Sequence, residues 1–250
     1  GEILCAGNTT MEHIFAGISP ESIGRAPYTP ATYFDAGEEL RDGAFPNAAI
    51  RLAPCVSGYI GGDTVAAVHA TGMAGKDGVR LLLDIGTNGE IVLGGRDGLI
   101  SCSVACGPAF EGAEISCGMR SVPGAISRVS FAQGEFWYVV IGGGYPKGIC
   151  GTGIVDALAE MLRSGVVDGT GRLLEPDELP EGLRGTVSVN KKGNLSFTVA
   201  PGVKIRAADI RKLQLAKAAV RAGVELLVRR AGVTSDHIDE VYLAGALGTR

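Results

Sequence analysis

Apolar and polar positions along the chain predict short strands interleaved with helices. Residues 2–6, EILCA, form an apolar run that reads as a buried strand. Asn8, Thr9 and Thr10 then offer side-chain oxygens suited to capping a helix that runs to about residue 16. Between residues 18 and 47, Pro20, Pro27, Pro30 and Pro46 exclude a long helix or central strand and predict a loop. A strand over 50–56 leads to Gly61, Gly62 and Asp63, which open a helix to about residue 71. That helix is built largely of small residues, Val65, Ala66, Ala67, Val68 and Ala70. Such a surface allows close backbone approach and suits a junction between two lobes, although an ordinary buried helix has the same composition.

Two apolar runs, 79–83 and 91–93, flank Asn88-Gly89, the strongest short-range hairpin signal, and place a buried hairpin over 81–94, LLLDIGTNGEIVLG. A second strand pair is predicted over 126–131 and 136–141, and a third over 186–189 and 195–199. A helix over 149–162 carries Ile154, Leu158, Met161 and Leu162 at helical spacing. The longest helix, 207–231, has an apolar stripe of Ile210, Leu213, Val220, Val224 and Leu227, with Asp209 suitably placed in its first turn. Its other face carries Arg211, Lys212, Lys217, Arg221, Arg229 and Arg230, either a solvated face or a surface for an acidic partner. Residues 240–244 read as a buried strand entering Gly245. Antiparallel pairs mixed with helix-linked strands indicate an α/β protein with a mixed sheet.

Composition narrows the class. With 250 residues, 46% hydrophobic and 20% charged, the chain has room for one large domain or two smaller ones. Its 39 glycines are not periodic, which points to tight turns and close approaches rather than collagen or low complexity. A net charge of −4 gives no electrostatic reason to expect nucleic acid. No apolar run approaches the roughly 18 residues of a membrane span, and no secretory pattern is present, so a cytoplasmic protein without membrane contact is expected. The chain starts at Gly1, directly before a strand, and stops just after a strand–glycine turn; both ends look cut, as in a piece of a longer protein. Cys5, Cys55, Cys102, Cys106, Cys117 and Cys150 contain no CxxC pair and read as reduced thiols. Cys102, Cys106 and Cys117 match neither zinc nor ferredoxin spacing. His13, His69 and His237 are isolated and read as structural or solvent-facing.

The candidate chemistry sits in the first hairpin. Asp84 ends an apolar run expected of a central strand, where a carboxylate is costly unless a cation or a donor meets it. Gly86 and Gly89 expose backbone amides, and Thr87 and Asn88 add polar donors. An acid able to face hydrated Mg²⁺ beside such a turn makes a sensible phosphate clamp. Two other glycine segments fail their tests. Gly142-Gly143-Gly144 with Lys147 lacks the P-loop order, and Gly151-Thr152-Gly153 has Asp156 at the third glycine position of the dinucleotide fingerprint. Residues 148–153 instead tighten the start of the following helix, whose N-terminus could attract an anion.

DIGTNGE at 84–90 resembles the second phosphate hairpin of the actin-like ATPase superfamily, which includes sugar kinases, actin and heat-shock chaperones. The helix at 61–71 matches that superfamily's first connecting helix, and VYLAGA at 241–246 resembles the element that packs on adenosine. More narrowly, GNTTMEHIFAG at 7–17, SCSVACGPAFEGAEISCGMR at 101–120, GICGTGIVDAL at 148–158 and DIRKLQLAKAAVRAG at 209–223 resemble the reductive activators of corrinoid iron–sulfur proteins. The resemblance implies an actin-like ATPase (ribonuclease H-like) fold with a mixed five-stranded-type sheet, flanking helices and an incomplete first lobe. Residues 1–78 would be the remnant of the first lobe with its connecting helix, and 79–250 the second lobe.

The implied cofactors are ATP and Mg²⁺, with a ferredoxin-type iron–sulfur cluster only in a missing N-terminal domain. The implied activity is ATP-driven reduction of Co(II) to Co(I) on a corrinoid protein of a methyl-transfer system, and a homodimer is compatible with it. Asp84 would be the catalytic and metal-orienting acid, while Gly86, Thr87, Asn88, Gly89 and Glu90 would hold phosphate. Gly245 and Ala246 would meet adenosine, and ATP would drive lobe closure rather than phosphorylate a metabolite. Glu111 and Glu114 are candidate polar groups near the cleft, or else ordinary exposed loop acids.

The departures from the pattern matter too. The first phosphate motif, any ferredoxin cysteine set and the closing helix are absent, and Ala246 replaces a common second glycine. A small-molecule kinase on the same fold would need a catalytic base and a substrate pocket, for which no convincing set is seen; a filament-forming or partner-binding module would instead polymerise with concentration. With half of a nucleotide site, the chain alone should turn over ATP weakly or not at all. Robust Mg-ATP hydrolysis that disappears in Asp84→Ala would contradict this.

Overall fold

The computed structural model describes residues 1–37, 39, 40 and 46–245. The chain divides into two compact units, each discontinuous in sequence, whereas the lobes expected from the sequence are continuous. The first unit holds Gly1–Asp84, Gly89–Val104 and the chain from Ala222; the second holds Ile85–Asn88 and Ala105–Arg221.

In chain order the first unit begins with β1 (Glu2–Cys5), α1 (Thr9–Phe15), β2 (Glu39–Leu40), β3 (Ala49–Leu52) and α2 (Gly62–Thr71). β4 (Val79–Ile85), β5 (Gly89–Gly95) and β6 (Gly98–Val104) follow. β1 lies parallel to β3, and the two-residue β2 pairs antiparallel with β3 inside the segment read as loop. β3 stops at Leu52, earlier than residue 56, just before Pro54, which has no N–H to give a ladder. α1 starts as expected, with Asn8 Oδ1 accepting from the Met11 amide at 2.9 Å.

The start of α2 is set by close approach. A Cβ at Gly61 would fall 2.6 Å from Asn8 Cα, the Gly7 carbonyl and the Thr9 amide nitrogen, so only glycine fits. The close approach lies there and not along the small residues, since Ala66 and Ala70 are exposed. Ala67 and Val68 pack on Met73, Leu82 and Val92, together with Tyr242 and Ala244.

A four-stranded sheet carries the hairpin, in the order β13-β4-β5-β6, where β13 is Ile238–Ala244. Among the described residues this mixed sheet has four strands rather than the five expected. β13 is parallel to β4, and β5 is antiparallel to β6, a strand the sequence reading passed over. Two strands expected to be buried are not. Leu4 is 74% exposed, and Val241 and Leu243 are each 55% exposed. β1 and β13 sit at the ends of their sheets, and an end strand can be apolar with one face uncovered.

In the second unit β7 (Ala125–Ala132) and β8 (Glu135–Val140) form a hairpin. Gln133 and Gly134 join them with φ of 55° and 85°, the paired positive values of a twist-compatible two-residue turn. β9 (Gly148–Ile149) lies parallel to β7 and feeds α3 (Gly151–Arg163). A Cβ at Gly153 would sit 2.3 Å from the Ile126 carbonyl, so the glycines at this helix start serve packing. β10 (Val187–Val189), β11 (Leu195–Ala200) and β12 (Val203–Arg206) form an antiparallel meander; β12, also missed, runs straight into α4 (Ala207–Ala231). Asp209 in the first turn of α4 is buried and accepts from the Arg206 amide at 2.9 Å and from the Ser116 amide at 3.0 Å. Phe197, at the centre of this core, meets Phe136 edge-on at 4.7 Å.

All six cysteines are free thiols, and among the described residues no three metal-ligating side chains converge. No helix among the described residues is long and apolar enough to cross a membrane.

His13 organises the proline-rich segment. It is fully buried, its Nδ1 lies 2.7 Å from the Thr9 carbonyl, and its Nε2 accepts from the Ala31 and Thr32 amides at 3.2 and 3.4 Å. Phe34 packs edge-on against the ring. Replacing the ring by Leu strands two amide donors, each worth about 1–3 kcal/mol when buried without a partner. His13→Leu should therefore lower unfolding free energy by about 2–4 kcal/mol in a denaturant titration; a change inside half a kilocalorie would refute this role.

Candidate nucleotide site

The apolar run places Asp84. Leu81 and Leu82 are buried in β4, between β13 and β5, and the ladder then carries the next polar residue to the C-terminal end of the strand. Ala244 lies opposite Asp84 in the parallel β13–β4 pair, so Gly245 follows directly beyond that end, with φ of 79°. The C-terminal ends of parallel strands are where α/β sheets bind ligands. A positive φ at Gly245 is a conformation that side chains disfavour. Ala246 lies outside the described residues.

The charge of Asp63 acts on three other carboxyls of the first unit, those of Glu12, Asp84 and Glu90. Burial pushes the Asp84 carboxyl above the usual aspartate range, and the charge of Asp63 raises it further. Glu90 is raised by burial, against the pull of a hydrogen bond donated by the Ser103 hydroxyl at 3.3 Å, and by the charges of Asp63 and Asp84. Glu12 on α1, only 2% exposed, is raised by burial and by Asp63, against hydrogen bonds from the Gly7 and Gly62 amides. Its Oε2 is buried with no hydrogen-bond partner. No Lys or Arg among the described residues forms an ion pair with any of these four. A carboxylate whose pKa is raised by a neighbouring negative charge is stabilised by a proton or by a cation. Among the described residues no three His, Cys, Asp or Glu side chains converge to ligate a metal directly.

The turn after β4 comprises residues 86–88 and belongs to the second unit. It differs from the two-residue turn implied by Asn88-Gly89. Gly89 is already in β5, and neither Asn88 nor Gly89 has positive φ. The Gly86 amide donates to the Asn88 carbonyl at 3.0 Å, closing a three-residue turn. Thr87 faces Glu111 through its amide, at 3.0 Å from Oε1, and its hydroxyl, at 2.8 Å from Oε2. Glu114 takes a different course, with φ of 62° and its carboxylate 3.9 Å from Lys212 Nζ. The start of α3, considered as an anion site, is engaged internally. Burial works to raise the Cys150 thiol, but the Thr152 and Ser121 hydroxyls and the Gly153 and Thr152 amides bring it below the ordinary thiol value.

The sequence singles out Asp84, Glu90 and the turn, and does not single out Asp63 or Glu12 as site residues. Asp63 had a signal, an acid straight after the two glycines that open α2. Glu12 had none, because its neighbours come from the tertiary fold.

Residues 78–250 match the family model described as the C-terminal domain of RACo, the ASKHA domain, and residues 1–76 match the RACo middle region. The chain belongs to the RACo family. The ASKHA domain is the actin-like ATPase fold that the phosphate-hairpin resemblance implied. A relative from Eubacterium limosum, "Corrinoid activation enzyme RamQ", is 34% identical over 97% of this chain and 42% of its own length. A "[Co(II) methylated amine-specific corrinoid protein] reductase" from Methanosarcina barkeri is 27% identical over 87% of this chain and 41% of its own. The solved "Reductive activator for corrinoid,iron-sulfur protein" superimposes with a TM-score of 0.84 at 37% identity, covering 99% of this chain and 40% of that one. The chain therefore spans about 40% of the length of these relatives.

The carboxyl group has a pH consequence. Asp84, Glu90 and Glu12 bind protons more tightly in the folded than in the unfolded chain. The stability this confers is fully present below the ordinary carboxylate range and is lost as pH rises through the raised values. Asp84→Asn removes one repelling charge, so it should raise the melting temperature at neutral pH by a few degrees. That gain should shrink as pH falls toward the ordinary aspartate value of 3.8. Thermal melts across pH test this, and a lower melting temperature for Asp84→Asn at pH 7 would count against it.

Proposed function

We propose that this chain is the nucleotide-binding part of an ATP-dependent reductive activator that returns a corrinoid protein of a methyl-transfer system from Co(II) to Co(I). The observation that carries the reading is the set of carboxyls around the end of β4, which no Lys or Arg among the described residues pairs, followed in the chain by the glycine-bearing turn 86–88, in a RACo-family ASKHA domain. Bound ATP would supply phosphates, and Mg²⁺ would neutralise their charge. Asp84 orients the water shell of the ion, and Asp63 and Glu90 add the negative field that makes the cation welcome. The amides of Thr87 and Asn88, with the Thr87 hydroxyl and the Asn88 side chain, hold phosphate oxygens, while Gly86 and Gly89 keep the turn free of side chains. Gly245 admits the adenosine close to the backbone.

Residues 1–78 act as part of the first lobe and 79–250 as the second. ATP stabilises the closed arrangement by its greater affinity for it, since a ligand shifts an equilibrium only through differential affinity. One electron per cobalt comes from a ferredoxin-type cluster in another part of the full-length protein, which works in the cytoplasm.

The test uses the full-length protein with its Co(II) corrinoid partner and a chemical reductant. The Co(I) absorption band should grow with Mg-ATP and not without it, and Asp84→Ala should slow its growth by about two orders of magnitude. Growth of the band at equal rates with and without nucleotide would overturn the reading.

A further inference from the structure

The two donors of Thr87 are already engaged by an anion. Its amide donates to Glu111 Oε1 at 3.0 Å and its hydroxyl to Glu111 Oε2 at 2.8 Å, so both carboxylate oxygens serve one turn residue. Charge-assisted bonds of this kind are about twice as strong as neutral ones and are how amides and hydroxyls greet a phosphate. Glu111 is itself exposed and reaches the turn from the end of the four-residue helix Pro108–Glu111, far from it in sequence. We propose that Glu111 is an exchangeable phosphate surrogate, holding the Thr87 donors until a nucleotide phosphate displaces it. The inference rests on the nucleotide reading above and adds a residue that sets the affinity of that site.

Three features of the second unit support exchange. First, two anions cannot share one N–H and one O–H, so phosphate and the Glu111 carboxylate are alternatives. Second, the segment that carries Glu111 is bounded by Gly107 and Gly112, with φ of 70° and 80°, values at which glycine alone is unstrained. Such residues absorb the backbone rotation that releases a side chain. Third, the segment is packed against α3. A Cβ at Gly151 would fall 1.6 Å from the Phe110 carbonyl, so release of Glu111 is felt at the start of that helix. Nucleotide arrival is thereby coupled to the segment that runs on to Cys117, through a contact no other residue makes with Thr87 among the described hydrogen bonds.

A structural role for Glu111 would make its removal weaken nucleotide binding, whereas a competing role makes removal tighten it. Mg-ADP and Mg-ATP binding to the full-length protein is measured by calorimetry for the wild type, Glu111→Gln, Glu111→Ala and Glu114→Gln. Both Glu111 variants should lower Kd by about three- to tenfold, because the unlatched turn no longer has to be released first. Glu114→Gln should leave Kd unchanged, since that carboxylate is turned toward Lys212. Equal or weaker binding by both Glu111 variants, with the wild type binding normally, would overturn the surrogate and leave the nucleotide reading standing. No binding by any of the four proteins would overturn both.

Discussion

Partial burial of like charges is the constraint on which the first unit depends. Asp84 and Glu90 are carried to their positions by flanking apolar residues, Leu81 and Leu82 on one strand and Ile91 to Leu93 on the next. Because consecutive residues are buried, both faces of these strands are covered, and a one-residue shift would put Arg80 or Glu90 where Leu81 or Ile91 is now buried. Asp63 raises the carboxyls of Glu12, Asp84 and Glu90 alike, which makes the start of α2 the electrostatic centre of the group.

Glycine makes the arrangement sterically possible. Gly61 and Gly62 let the start of α2 sit against the loop that follows β1 and against Ala53, contacts that any side chain would prevent. Gly151 and Gly153 do the same for α3 in the second unit, against Phe110 and Ile126. The abundance of glycine therefore has a specific meaning here: helix starts are pressed onto backbone. Glu111 belongs to the same logic, since its short helix is held between two left-handed glycines and its carboxylate fills the donors of the turn.

Much of the fold was legible from local pattern. Apolar runs and helical spacing located β4, β5, β7, β8, α1, α3 and α4, the last with the same bounds in both readings. Reading failed where context outweighed pattern. β6 and β12 are short strands recruited by neighbours already in place, and β2 forms in a proline-bearing segment because β3 offers it a partner. The Asn88-Gly89 pair drew the turn one residue too far along, because the turn closes through Gly86 and Asn88 instead. The apolar runs of β1 and β13 predict burial, yet a strand at the end of a sheet can keep such residues on an open face.

Most local elements, the hairpin that carries Asp84 and Glu90, and the family to which the motifs belong were fixed by the sequence alone. Those follow from periodicity and from residues adjacent in the chain, whose relation does not depend on distant contacts. Only the tertiary structure decided that Asp63 and Glu12 join the two hairpin acids, that His13 secures the proline-rich segment, and that Glu111 holds Thr87. Burial, charge interaction and hydrogen bonding act through space, and no spacing along the chain records which distant side chains the fold will bring together.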